Sequence, residues 1–401
     1  MKILQICNKV PFPPKDGGAL AVWNLSKGLS QQNAELYILA LNTTKHPVPK
    51  VALPIEFQEK ISIESVDIDT DIKYADLFKN FLFDSEPYNL LRFKSQEFSN
   101  KLISVLEIFQ PEIVLLEGLS MAWYINDIRQ HSNARVVMRA HNVEHVIWQG
   151  LLIEEKSALT RIYLKNLTKR IRKFEVSQLK NYDALIPISL VDEKWHRHSG
   201  YNGPTLTIPF GVEITDPNES TLKVQQNDLI YIGALDWAPN VEGIIWFIRE
   251  VWPRLHSEFP ELNLHIAGRN PTEEVKRLIQ ADGIIFYGEI DHVSELFEKG
   301  NIMIIPLFSG SGMRVKIIEG FQAGKLIITT IQGLEGIPAK PGNHLLLADT
   351  ADEFTNQIKR SLQKPEVIAQ IGSKGKEFVK HNFNNFALSK ELISFFNSLT
   401  E

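Results

Sequence analysis

The chain has 401 residues, 44% of them hydrophobic and 23% charged, enough to bury two ordinary domain cores. A formal net charge of −5 offers no global attraction to nucleic acid, which is not an expected partner, or to anionic membrane. A single cysteine, Cys7, excludes an internal disulfide and fits a reducing compartment, where it reads as a small buried hydrophobe of the first strand.

The N-terminal apolar run, residues 1–7, is too short for a signal peptide, and no run approaches the roughly 20 apolar residues of a membrane span. A cytoplasmic protein is expected. Residues 3–7 read as a strand. A polar, proline-bearing stretch ends at Asp16-Gly17-Gly18, and an amphipathic helix follows to Gln31. Strand, glycine turn and helix make a Rossmann-like opening without the full dinucleotide fingerprint. Residues 35–41 and 61–68 read as further strands. Residues 71–110 are helical in pattern, interrupted at 84–88. Tyr88, Arg92 and Phe93 beside that break are candidates to line an acceptor pocket, and packing explains them equally well.

Strands follow at 113–117 and 135–140, with a helix between. The second delivers His141-Asn142-Val143-Glu144-His145 at its C-terminal end, where open α/β sheets bind ligands. His145 reads as a helix-face residue. Residues 156–180 carry eight basic residues against one acid, Glu175, on an amphipathic helix. Such a run is commonly a solvated face. The sharper reading is peripheral contact with anionic lipid at the inner face of the membrane. Strands at 184–189 and 205–208 flank a helix that ends at His198. Residues 215–228 are polar and aperiodic, so the domain boundary is placed there.

A second α/β series begins at Leu229. Its strands, 230–232, 263–267 and 284–287, end in Gly233, Gly268-Arg269 and Gly288-Glu289-Ile290. A helix is expected at 241–259. The apolar run 301–305 then leads into Ser309-Gly310-Ser311-Gly312-Met313. A helix is expected to start at Gly312 or Met313 and to stop at Gly324. The first N–H groups of a helix lack internal partners, and glycines let a phosphate approach them closely. Arg314 and Lys316 add two cations, and Glu319 is suited to accept from sugar hydroxyls. The set reads as a site for a diphosphate and a sugar ring. Glycine turns are common, however, and Lys316 with Glu319 also fits an ordinary surface pair. The spacing is not that of a P-loop.

The string Pro306, Gly310-x-Gly312-x-Arg314-x-Lys316-x-x-Glu319, Ala323-Gly324, Gly333-x-x-Gly336 resembles the donor motif of family 4 glycosyltransferases. Leu235-Asp236-Trp237-x-Pro239-Asn240, His141-Asn142-x-Glu144 and Pro209-Phe210-Gly211-Val212-Glu213 resemble further motifs of that family. The resemblance implies an α/β, GT-B fold of two Rossmann-like domains facing a central cleft. Residues 1–212 would be the acceptor side and 213–380 the donor domain, with 381–401 a helix crossing back to the first.

The resemblance also implies retaining transfer of a sugar from a nucleoside-diphosphate sugar to a hydroxyl of a glycan or lipid-linked acceptor, as in bacterial polysaccharide biosynthesis. His141, Arg314, Lys316 and Glu319 would be catalytic, with His141 on the donor sugar and Glu319 on its ribose. Gly17, Gly18, Gly233, Gly268, Arg269, Gly288, Glu289, Ile290, Ser309, Gly310, Ser311, Gly312 and Met313 would complete the donor site. Asp16, Tyr88, Arg92 and Asn142 would meet the acceptor.

Two departures stand out. Ser311 replaces a usual glutamate, and the loop after Gly233 lacks the usual arginine and lysine, with Ala234 and Asn240 or Val241 in their places. Arg314 and Lys316 are the obvious substitutes. No Asp-x-Asp set is read at a strand end and no close His/Cys ligand cluster, so neither metal nor cofactor is expected beyond the nucleotide-sugar itself. The alternatives are a GT-B epimerase or hydrolase, or a silent nucleotide-sugar-binding subunit.

Overall fold

Short apolar runs, buried on both faces, build two parallel sheets. The computed structural model describes every residue except 15, 46, 49–52, 215–226 and 311–313. The first sheet holds β1 (Lys2–Cys7), β2 (Glu35–Thr43), β3 (Ile61–Ile68), β4 (Ile113–Glu117), β5 (Arg135–Ala140) and β6 (Ala184–Pro187). Their order is β3-β2-β1-β4-β5-β6, and every neighbouring pair is parallel. The second holds β7 (Leu229–Ile232), β8 (Leu264–Ala267), β9 (Ile284–Phe286), β10 (Ile302–Ile305), β11 (Leu326–Thr329) and β12 (Leu346–Leu347). Its order is β12-β11-β10-β7-β8-β9, also parallel throughout.

The two sheets share one winding. Each grows outward from its first strand, then returns and grows the other way. The reversal falls between β1 and β4 in one sheet and between β7 and β10 in the other. Strand C-termini at such a switch point diverge and leave a crevice for a ligand. The residues just after β1, β4, β7 and β10 are therefore the ones the topology sets aside for binding.

The chain divides into two compact units, Met1–Glu213 with Asn385–Glu401, and Ile214–Asn384. In the first unit β1 alternates. Leu4 and Ile6 enter one apolar layer with Phe98, Leu102 and Leu116. Ile3 and Cys7 enter the other with Trp23, Leu29, Leu392 and Phe396. Leu392 and Phe396 belong to the C-terminal helix Asn385–Thr400, which lies on α1 (Gly17–Gln31). Gly28 permits that approach, since a Cβ there would lie 2.0 Å from the Ser389 hydroxyl. Asn385 Nδ2 donates to the Asn24 carbonyl at 2.6 Å, and Asn24 Nδ2 to the Gly211 carbonyl at 2.9 Å. The second unit has one core around β7, β8, β10 and β11.

Three elements differ from expectation. Residues 205–208 bond to β6 through Leu206 N–H and Ile208 N–H but form no full strand, because Pro204 and Pro209 bracket them without donors. The helix expected at 241–259 starts earlier, at Ala238, widens into a π-turn at Phe247–Val251 and resumes as Trp252–Glu258. Pro253 in that last segment has no N–H to continue the regular ladder. The helix expected from Gly312 or Met313 begins at Val315, with Arg314 as its N-cap residue, and Gly324 follows its end with φ +68°. The long helical stretch resolves into α2 (Tyr74–Phe83), Tyr88–Leu91 and Gln96–Phe109. The expected linker lies mostly outside the described residues. Among those described, no helix is long and apolar enough to cross a membrane.

Candidate functional site

In the second unit the switch point is framed by two glycine turns. β7 runs into Gly233, where a Cβ would lie 2.7 Å from Asn240 Nδ2; Gly268, after β8, packs against the Gly233 carbonyl, where a Cβ would lie at 2.0 Å. Gly268 N–H in turn donates to the Gly288 carbonyl at 2.8 Å, and Gly288 has φ +72°. The three predicted turns thus form one ledge at the strand ends. β10 runs into Ser309 and Gly310. Gly310 has φ +89°, and a Cβ on it would meet the Trp237 ring at 3.1 Å and Pro239 at 3.2 Å. Ser311, Gly312 and Met313 lie outside the described residues.

Arg314 and Lys316 part ways. Arg314 is buried, and its Nη2 donates to the Gly310 carbonyl at 2.8 Å, so it closes the glycine loop on its own helix. Gln332 Nε2 donates to the same carbonyl at 3.0 Å. Lys316 reaches across the switch point to the β7 side. Its ammonium donates to Asn240 Oδ1 at 2.8 Å and to the Ile232 carbonyl at 3.4 Å, and lies 5.4 Å from the centre of the Tyr231 ring. The loop after Gly233 lacks cations of its own, and Lys316 brings one to it from another element. Burial, helped by the Arg314 charge, pushes the Lys316 ammonium down to about 7.

Glu319 sits on the Val315–Gln322 helix three residues beyond Lys316. It is half-buried, and burial alone pushes its carboxyl up to about 7. No described donor satisfies that carboxyl. A half-buried cation and, one turn along the same helix, a half-buried acid without a donor are costly for a free protein and useful for a polar ligand. Of the other expected donor residues, Ser309 Oγ donates to Glu242 at 3.0 Å. Arg269 is half-buried with its Nε unpaired, Glu289 is exposed and Ile290 half-buried.

In the first unit β4 and β5 place His141 against a residue the sequence reading missed. His141 Nε2 lies 2.6 Å from Glu117 Oε2. Gln5 Nε2 donates to Glu117 Oε1 at 2.5 Å, and Ser26 Oγ donates to Gln5 at 2.7 Å. Buried Arg139 lies 3.4 Å from Glu117. Burial drives the Glu117 carboxyl up, but the Arg139 charge and the bonds from His141 and Gln5 outweigh it and hold it at about 2. The available signal was a glutamate ending an otherwise apolar strand, followed by a glycine; Gly118 has φ +94°.

The expected acceptor residues scatter. Asp16 caps α1, accepting from Ala19 N–H at 2.8 Å, and pairs with Lys9 at 2.6 Å, beside exposed Gly17 and Gly18. Asn142 is half-buried beside His141. Tyr88 is buried, and its hydroxyl accepts from Lys73 N–H at 3.1 Å. Arg92 donates to the Thr70 carbonyl. Both hold the chain at 70–73, and both line a depression of about 480 Å³ with Asp71, Lys73 and Lys79. His145 lies on the helix Glu144–Glu154, on its buried side. It is buried with Nδ1 2.8 Å from Glu175, which also accepts from the Glu144 N–H at 2.8 Å. Among the described residues no group of three or more His, Cys, Asp or Glu is placed to hold a metal ion.

The whole architecture has solved counterparts. A sucrose-phosphate synthase from Thermosynechococcus elongatus superposes with a TM-score of 0.71 at 17% identity, over 100% of this chain and 99% of that one. The fold is GT-B. A second GT-B structure, HepE of Anabaena in complex with UDP and glucose, gives a TM-score of 0.68 at 12% identity over 99% of this chain and 100% of its own. Residues 226–364, within the second unit, match the family described as Glycosyl transferases group 1. An uncharacterized 44.6 kDa protein in the cps region of Klebsiella pneumoniae is 21% identical over 402 aligned positions, covering 96% of this chain and 97% of that protein. Residues 226–364 thus resemble a glycosyltransferase domain, and the solved structures show the GT-B fold.

Proposed function

We propose that this chain is a retaining, family 4-type glycosyltransferase. It would move a sugar from a nucleoside-diphosphate sugar to a hydroxyl of a glycan or lipid-linked glycan, without metal. The observation that carries the reading is the pair Lys316 and Glu319, two ionisable groups held inside the second switch point with burial working against both charges. A diphosphate supplies the anion that Lys316 lacks, and a ribose supplies the hydroxyl donors that Glu319 lacks.

The hard step is departure of the diphosphate as charge develops on it. Lys316 is the group placed to stabilise that charge, with Arg314 holding the loop that would carry the phosphates. His141, its ring oriented by Glu117, would hold the donor sugar beside the anomeric carbon. The acceptor hydroxyl would attack from the face the leaving phosphate vacates. Bacterial polysaccharide assembly is the proposed setting. It is supported by the likeness to the Klebsiella pneumoniae protein, whose description places it in a cps region.

The test is donor binding followed by turnover. In a melting scan against nucleoside diphosphates and their sugar conjugates, one nucleotide-sugar should raise the melting temperature, since a ligand of the folded state must stabilise it. Lys316→Ala and Glu319→Ala should each cut acceptor-dependent turnover about tenfold or more, a loss of about 1.4 kcal/mol. Activity should persist in EDTA. Donor consumption without any acceptor would instead identify a hydrolase or epimerase, and binding without turnover a silent subunit.

A further inference from the structure

Two neighbouring helices of the first unit leave apolar side chains in water. On α2, Tyr74, Phe78 and Leu82 recur every fourth residue and so form one stripe; they are 83%, 62% and 51% exposed, and Phe83 is 83% exposed. Only Leu77, Asn80 and Phe81 of this helix turn inward. Its C-terminal end is anchored to the helix Ala158–Gln178, because Arg170 donates to the Asn80 and Phe81 carbonyls at 2.9 Å each.

The anchoring helix is cationic toward solvent. Arg161, Lys165, Lys169, Arg172 and Lys173 are exposed, and so are Leu159 and Ile162. Its single acid, Glu175, is buried and committed to His145, so nothing on this helix offsets the outward charge. On α2, exposed Asp76 and Lys79 balance each other, while at its ends exposed Asp69, Asp71 and Asp84 outnumber Lys73, so the cationic excess is confined to the anchoring helix. The chain as a whole is anionic at −5, so this local excess of cations is segregated from the bulk charge. Lys and Arg beside unpartnered aromatic and aliphatic side chains are the combination that binds an anionic bilayer surface. Cations meet headgroup phosphates, and rings seat at the boundary with the acyl chains.

We propose that α2 and the helix Ala158–Gln178 form a docking surface for an anionic lipid leaflet, with Tyr74, Phe78, Leu82 and Phe83 as the inserted residues. This goes beyond the nucleotide-sugar reading and does not depend on it, because the surface lies on other elements than the site around Lys316.

Co-sedimentation with phosphatidylcholine vesicles, with and without phosphatidylglycerol, tests it. The full chain should bind the anionic vesicles at low salt and release them at high salt. The charge variant Lys165→Glu/Lys169→Glu/Arg172→Glu and the apolar variant Phe78→Ser/Leu82→Ser/Phe83→Ser should each weaken binding by about tenfold. Both should keep the wild-type melting temperature, since the altered side chains are exposed. Failure to bind anionic vesicles at low salt overturns the proposal. Wild-type binding by either variant removes that helix from the surface and overturns it as stated. A shift in melting temperature with a nucleoside diphosphate in the same preparations reads the nucleotide site separately.

Discussion

His141 Nε2 lies 2.6 Å from Glu117 Oε2, on the two strand ends beside the switch point of the first sheet. Glu117 carries a negative charge, so the ring nitrogen facing it holds a proton, and the other nitrogen is left for a ligand. Under the proposed function Glu117 would act as a positioning residue for His141. Glu117→Gln should lower kcat about tenfold while leaving the affinity for a free nucleoside diphosphate unchanged. A matching loss in both quantities would point to general damage. The same variant should lose much of its acid sensitivity. The folded carboxyl titrates at about 2 against an ordinary 4.5, so its stabilisation, about 3 kcal/mol, is present above pH 4.5 and lost as pH falls toward 2. Urea unfolding across that range compares the two proteins.

The pH profile of kcat/KM should be bell-shaped with its maximum close to 7. Lys316 must be protonated to meet a diphosphate, and its ammonium titrates at about 7 in the free protein; Glu319 must be ionised to accept from ribose, and it too titrates at about 7. Lys316→Arg stays charged at every relevant pH and should flatten the alkaline limb. Steady-state rates from about pH 5 to 9 check this.

The two groups should also cost stability. Glu319 is raised from 4.5 to about 7, so the unfolded chain holds fewer protons in that window and stability falls as pH rises through it. Glu319→Gln should therefore match wild type below about pH 4.5 and exceed it above about pH 7, by on the order of 2 kcal/mol. Lys316 is lowered from 10.5 to about 7, so its penalty is full below 7 and gone above 10.5. Lys316→Met should melt higher at neutral pH while losing turnover. Melting curves at several pH values decide both.

Gly28→Ala should loosen the C-terminal helix. The new methyl would fall 2.0 Å from the Ser389 hydroxyl and 2.8 Å from Asn385 Nδ2, so one helix must move. A loss of about 1–3 kcal/mol is expected, with earlier proteolysis of residues 385–401. Ser389→Ala in the same chain should restore part of the loss.

What the sequence determined was periodicity and punctuation. Strand-length apolar runs ending in glycines announced two parallel α/β layers, because a strand covered on both faces must be apolar throughout and a tight turn needs a residue without Cβ. The composition of residues 306–336 singled out Arg314, Lys316 and Glu319. What only the tertiary structure decided was which of these faces which. Arg314 and Lys316, two residues apart, point to different tasks, one closing the Gly310 loop and the other crossing to Asn240, 76 positions away in the chain. Glu117 and His141 meet only because β4 pairs with β5 in parallel register, Glu117 opposite Arg139. Glu175, one acid among eight bases, proved to be the buried partner of His145. Pairings of this kind depend on strand order and helix placement, which follow from how whole surfaces pack, and no local spacing in the chain encodes them.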